Sequence, residues 1–218
     1  MATLAHVAWS GMVPPGVAKS MYETVPSATA ATAAATDGDD RLMAAFCAGD
    51  EGAFSALYER HATTMFRFLR RLVGQRELAE DVLQTTFLSV VRARGRYQPG
   101  TSVRSWFYAI AANAARDALR RARVRSVEQR LPADAGPGAE IPDLSAAGEA
   151  DPALRAALGV ALAALPADQR EAVVLHHMEG LSFPEIADIL GISAGAAKVR
   201  AHRGYERLRV RLGSKEAS

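Results

Sequence analysis

Apolar side chains recur three and four positions apart at Phe54, Leu57, Tyr58, Met65, Phe66, Leu69 and Leu72, with His61 in the same stripe. That spacing predicts an amphipathic helix, and Gly74 closes it. A second helix is predicted from about Glu77 through Val82, Leu83, Phe87, Val90 and Val91 to about Arg94. Tyr97-Gln98-Pro99-Gly100 then breaks the pattern as a turn. A third helix carries Trp106, Ile110 and Leu119 and ends in a basic run at Arg120, Arg121, Arg123 and Arg125. Further on, Asp151-Pro152 combines an N-cap with a proline suited to the first helical turn. Helices are predicted from there over about 152–164, 166–179, 182–190 and 193–212. No strand-like alternation interrupts these segments, so the expected fold is all-α.

Two stretches lie outside this pattern. Residues 1–36 carry only Lys19 and Glu23 as charges and end in the Ala/Thr-rich run Ser27–Thr36. They read as a disordered leader, or as sequence ahead of the start codon in use, with order expected from about Asp39. Residues 126–152 hold four prolines, three glycines and six acidic residues against Arg130 alone. Such a segment cannot bury enough apolar surface to fold and reads as a linker. The expected organisation is a leader at 1–38, a helical domain at 39–125, a linker at 126–151 and a second helical domain at 152–213.

Charge sharpens this division. The net charge is only +2, yet residues 101–125 hold six basic residues against Asp117, and residues 193–213 hold six against Glu206. Two basic patches flanking an acidic connector suit two contacts with a polyanion; solvated helix faces are the plainer reading. One cysteine among 218 residues excludes an internal disulfide and a four-thiolate metal site. The sequence has no apolar run long enough for a membrane span and no secretory signal pattern, so a cytoplasmic protein without stable membrane insertion is expected. It also lacks a G-x-S-x-G motif, a P-loop and paired catalytic carboxylates, so neither an enzyme nor a cofactor is expected.

The sharpest local signal runs from Leu181 to Arg203. Ser182 with Glu185 three residues on forms a capping-box pattern, and Pro184 falls in the first turn. Ile186, Ala187 and Leu190 supply a buried face, Gly191 stops the helix, and Ser193 caps the next. Two short helices about a tight glycine turn make a helix-turn-helix. Its second helix places Lys198, His202 and Tyr205 at spacings of four and three, with Arg200 and Arg203 alongside, a face suited to a major groove. A structural hairpin is the alternative, and a cation density this high argues against it.

The motif Leu165-Pro166-Ala167-Asp168-Gln169-Arg170, followed by Gly180-Leu181-Ser182, Glu185-Ile186-Ala187 and Leu190-Gly191, resembles domain 4 of bacterial sigma factors. Upstream, Ala79-Glu80-Asp81-Val82-Leu83-Gln84-Thr85-Thr86-Phe87 resembles the polymerase-binding helix of sigma domain 2. Trp106 through Asn113, with Asp117, resembles the promoter-melting helix that follows it. Two such domains joined without a domain 3 are the layout of extracytoplasmic-function (ECF) sigma factors. The sequence departs from the usual pattern at Ala112, Ala196, Val199 and Tyr205.

The resemblance implies a subunit that binds core RNA polymerase and directs promoter recognition, −10 melting and initiation. A free-standing helix-turn-helix regulator is the alternative. It implies polymerase docking by Glu80, Asp81, Gln84 and Thr85, which would otherwise read as a solvated acidic turn near a helix N-terminus. It implies contacts to a single-stranded −10 element by Tyr97, Ser102, Arg104, Trp106, Asn113, Arg116 and Arg120. Trp106 also reads as a core residue, and Asn113 as an ordinary surface amide. Contacts to a duplex −35 element fall to Lys198, Val199, Arg200, His202, Arg203 and Arg207. An anti-sigma factor is the further implied partner. The acidic linker is expected to thread a basic channel of polymerase, or to serve as a passive spacer. His176, His177 and Glu179 lack metal-ligand spacing, and Cys47 is expected as a small buried side chain.

Overall fold

The structure, a computed structural model, describes residues 32–128 and 152–213, all of its regular elements being helical. The expectations of a leader over residues 1–31 and of a linker over 129–151 fall outside the described residues. The chain divides into two compact units, one ending at Thr63 and one beginning at Thr64.

In the first unit, helix α1 spans Thr32–Cys47 and α2, Glu51–Val73, begins. Helix α1 starts ahead of the expected Asp39, because the alanines before Asp37 are the best helix formers available and offset the cost of about 1 kcal/mol that Gly38 brings to the helix. Gly49, at φ 103°, turns the chain out of α1. The Asp50 carboxylate then accepts hydrogen bonds from the Gly52 and Ala53 amides at 2.8 and 3.2 Å, capping α2. Phe46 and Phe54 meet with ring centroids 5.1 Å apart, beside buried Met43 and Leu57. Asp39 is buried and accepts from Arg60 at 2.5 Å and pairs with His61 at 2.9 Å. Burial raises its pKa, but the bonds and charges of His61 and Arg60 outweigh that and hold it below the ordinary value. Cys47 is exposed, contrary to expectation, because it ends α1 just before the glycine turn.

The second unit takes in the rest of α2, then α3 (Arg76–Ala93), a 3₁₀ turn (Arg94–Arg96) and α4 (Val103–Glu128). Helices α3 and α4 pack together through Phe87 and Phe107, edge to face at 6.0 Å, and Phe68 meets Tyr108 edge-on at 4.9 Å. Downstream come α5 (Pro152–Ala163) and α6 (Ala167–Val173), a π-helical segment (Val174–Met178), α7 (Phe183–Leu190) and α8 (Ala194–Gly213). The π segment falls inside what the periodicity predicts as one plain helix.

Helix α8 packs on α5, α6 and α7. Its inner face repeats Ala197, Ala201, Gly204 and Leu208, all buried. Small residues on this seam let α8 lie close to α6, while Leu208 joins Leu162, Leu165 and Val173 in the core. Each such aliphatic side chain stabilises the fold by about 1.5–3 kcal/mol when fully buried.

Candidate nucleic-acid interface

The helix-turn-helix is built by local chemistry. The Ser182 hydroxyl accepts from the Glu185 amide at 3.5 Å, and the Glu185 carboxylate accepts from the Ser182 amide at 2.8 Å, completing the capping box. The Ser182 hydroxyl also donates to that carboxylate, and this bond leads in lowering the Glu185 pKa. Gly191 adopts the left-handed conformation at φ 65°. The Ser193 hydroxyl then accepts from the Ala196 amide at 3.1 Å to start α8. With its small-residue seam turned inward, α8 leaves Lys198, Val199, His202, Arg203 and Arg207 exposed. Val199, 48% exposed, is an apolar side chain among cations, suited to a thymine methyl group. Arg200 is half-buried and lies 3.8 Å from Asp168.

Helix α3 turns Asp81, Gln84 and Thr85 outward while Val82, Leu83, Thr86 and Phe87 are buried, as the 3.6-residue period requires. Glu80, half-buried, pairs with Arg76 at 3.0 Å. Asp81 and Thr85 line a shallow groove of about 130 Å³ with Leu78, Val82, Ala118, Arg121 and Arg125. The four residues expected to dock polymerase thus share one face.

The residues expected to meet the −10 strand divide into two sets. Tyr97, Ser102 and Trp106 cluster at the start of α4, with Trp106 half-buried against Tyr97 at 5.3 Å. The Tyr97 hydroxyl donates to the Thr101 carbonyl at 2.5 Å, and the Ser102 hydroxyl accepts from the Ser105 amide at 3.3 Å. Asn113 is exposed, and Arg120 is exposed with Asp117 at 3.0 Å. Arg104 and Arg116 are instead engaged by the downstream helices. Arg104 donates to the Glu179 backbone carbonyl and lies over the Tyr108 ring at 5.4 Å, and Arg116 pairs with Glu171 at 3.1 Å.

This second set exposes a polar network that spacing alone does not reveal. Glu179, 6% exposed, accepts from Arg71 at 3.0 Å and from the Tyr108 hydroxyl. Arg170 donates to the Leu72 carbonyl at 2.7 Å. Burial raises the Glu171 pKa against the charge of Arg116. Burial likewise raises that of Tyr108, aided by Glu179, and lowers that of Arg170. The one sequence signal for this network is an acid beside an otherwise apolar stripe at Glu179. His176 bonds the Leu181 carbonyl at 2.8 Å and stacks on Phe183, which accounts for it structurally. Among the described residues no three His, Cys, Asp or Glu side chains converge as a metal site, and no helix is long and apolar enough to cross a membrane.

An all-helical chain with a basic helix-turn-helix and a polar helical face upstream defines a DNA-binding protein of two regions. Residues 57–125 match the Sigma-70 region 2 family and residues 155–208 match Sigma-70, region 4. The chain is 51% identical over 174 residues to the RNA polymerase sigma factor CarQ of Myxococcus xanthus, covering 80% of this chain and 97% of that one. It is 36% identical to the ECF RNA polymerase sigma factor SigM of Mycobacterium tuberculosis, over 80% and 85% of the two chains. Its fold is similar to that of CnrH solved in complex with the cytosolic domain of CnrY, with TM-score 0.61 and 27% identity over 82% of this chain and 99% of that one. The chain belongs to the sigma-70 family of RNA polymerase sigma factors, in its extracytoplasmic-function group.

Proposed function

We propose that this protein is a promoter-specificity subunit that binds core RNA polymerase, recognises −35 and −10 elements, melts the latter and starts transcription without being catalytic itself. The observation that carries this reading is the occurrence of both sigma regions, in order, on one chain that matches 97% of the length of its CarQ relative. A regulator acting without polymerase would have no use for the polar face of α3. Its place of action is the cytoplasm, with polymerase.

Within this reading, Asp81, Gln84 and Thr85, with Glu80, form the polymerase-docking face, where charge complementarity with basic partners sets register. Lys198, Val199 and His202 face base edges, and Arg203 and Arg207 face phosphates, with Arg200 at the margin. Asn113, Tyr97, Ser102 and Trp106 meet an unpaired −10 base, through hydrogen bonds and stacking, and Arg104, Arg116 and Arg120 meet its backbone. An anti-sigma factor is a further partner; the CnrH structure includes the cytosolic domain of CnrY. The test is in vitro transcription with purified core on a random promoter library. Promoter-dependent initiation is expected, and its failure on every promoter overturns the reading.

A further inference from the structure

The arginines at the end of α4 form one basic run in the sequence, but the helix deals them onto two faces. At about 100° per residue, Arg116, Arg120 and Arg123 lie roughly 60°, 20° and 80° to one side of Asn113. Arg121 and Arg125 lie roughly 80° and 120° to the other side. Asn113, Arg116 and Arg120 belong to the surface assigned to the −10 strand. Arg121 and Arg125 instead line the groove of about 130 Å³ between α3 and α4, together with Asp81 and Thr85 and over a floor of Leu78, Val82 and Ala118.

The two walls of this groove differ in kind. On α3 the Thr85 hydroxyl donates to the Asp81 carbonyl at 2.9 Å, so its oxygen is left to accept, as the Asp81 carboxylate does. On α4 both guanidiniums can only donate. All four side chains are exposed, and among the described residues no ion pair joins Asp81 to either arginine. Like charges four residues apart also oppose each other on a helix, so the arginine pair works against the stability of the free chain.

A polyanion fits such a groove badly. Phosphates only accept, so they would satisfy Arg121 and Arg125 while meeting Asp81 with like charge. A protein helix fits better, because a base and an acid one turn apart on it present a donor and an acceptor about 5–6 Å from each other.

We propose that this groove is part of the polymerase-docking face, with Arg121 and Arg125 receiving an acidic side chain of a mixed-charge helix of core polymerase while Asp81 and Thr85 receive a basic one. The inference rests on the polymerase-binding reading above and deepens it. Asp81 and Thr85 belong both to that docking face and to the groove, so the surface is continuous from α3 onto α4. An acidic face alone would accept any basic helix; the two arginines reject one that lacks the matching acid.

Titration of the full chain with purified core RNA polymerase, read by fluorescence anisotropy of a dye on Cys47, tests this. Cys47 is the single cysteine and is exposed. Arg121→Gln/Arg125→Gln is expected to weaken core binding about tenfold, and Arg121→Glu/Arg125→Glu about a hundredfold, since reversed charges meet the partner's acid. With core in excess, the glutamine variant is expected to form open complexes with the salt slope of the unaltered protein. Arg120→Gln is expected to do the reverse, keeping its core affinity and lowering that slope by about 0.7. Unchanged core affinity in both double variants overturns the proposal, and a slope lowered by about 1.4 in the glutamine variant then gives both arginines to DNA. Equal losses in the glutamine and glutamate variants overturn the acidic partner. Should a double variant lose its native circular dichroism, Arg121→Gln and Arg125→Gln decide singly, and each must weaken core binding about threefold. The unaltered protein is measured alongside. Its failure to bind core overturns the sigma reading itself, whereas its binding and initiation beside unaffected arginine variants overturn the groove alone.

Discussion

Gly204 on α8 faces Val173 so closely that a Cβ placed on it would lie 2.5 Å from the valine Cγ2 and 3.3 Å from the Gln169 carbonyl oxygen. The recognition helix is positioned by this approach, because neither the buried valine nor the α6 backbone can swing aside. Gly204→Ala should gain up to about 1 kcal/mol of helix propensity and lose about 1–3 kcal/mol to overpacking. A net loss of about 1–2 kcal/mol in urea unfolding is expected, with weaker −35 binding. An unchanged or higher midpoint contradicts this account of the seam.

Arg203 is exposed on the outer face of α8 and is assigned to phosphate. Arg203→Ala should weaken binding to all −35 sequences alike and lower the slope of log K against log salt by about one. Fluorescence anisotropy at several salt concentrations measures both. A loss confined to one base sequence points to base reading instead.

Asn113 is exposed on α4, apart from the recognition helix. Asn113→Ala should change preference among −10 sequences and leave −35 preference intact, as read by transcription from paired promoter libraries. Altered −35 preference with unaltered −10 preference refutes the assignment.

Asp39 tests the electrostatics of the first unit. Its folded pKa is depressed below 3.8 by His61 and Arg60, so the stabilisation is complete above 3.8 and is lost as pH falls through the folded value. Asp39→Asn should therefore cost about 1–2 kcal/mol at pH 7, the contribution of hydrogen bonds to a charged group. Urea unfolding of both proteins should show that gap unchanged at pH 5 and closing below pH 3.8. A gap that persists at strongly acid pH assigns the effect to packing.

Legibility in the sequence followed the range of the interactions. The helix-turn-helix was readable because Ser182, Glu185, Gly191 and Ser193 act on neighbours within a few residues. The outward face of α3 was readable because its apolar period is regular. Arg71–Glu179 joins residues 108 positions apart, and no local pattern pairs them. Arg104 and Arg116 read as contacts to the −10 strand, yet tertiary packing also gives them protein partners at Glu179 and Glu171. Cys47 misled because a small apolar side chain is usually buried, whereas here the helix simply ends at it.

The π-helical segment bears on how such proteins can be recombined. The Glu179 amide bonds the Val174 carbonyl at 3.1 Å, five residues back rather than four. That wider turn acts as one extra residue in the helical phase, worth about 100° of rotation at 3.6 residues per turn. A chimera joined within 174–178 to a relative with a regular helix would aim Glu179 away from Arg71 although every residue after the junction was retained. Junctions placed before Ala167 carry the phase with them, so the portable unit of this protein begins upstream of its DNA-reading motif.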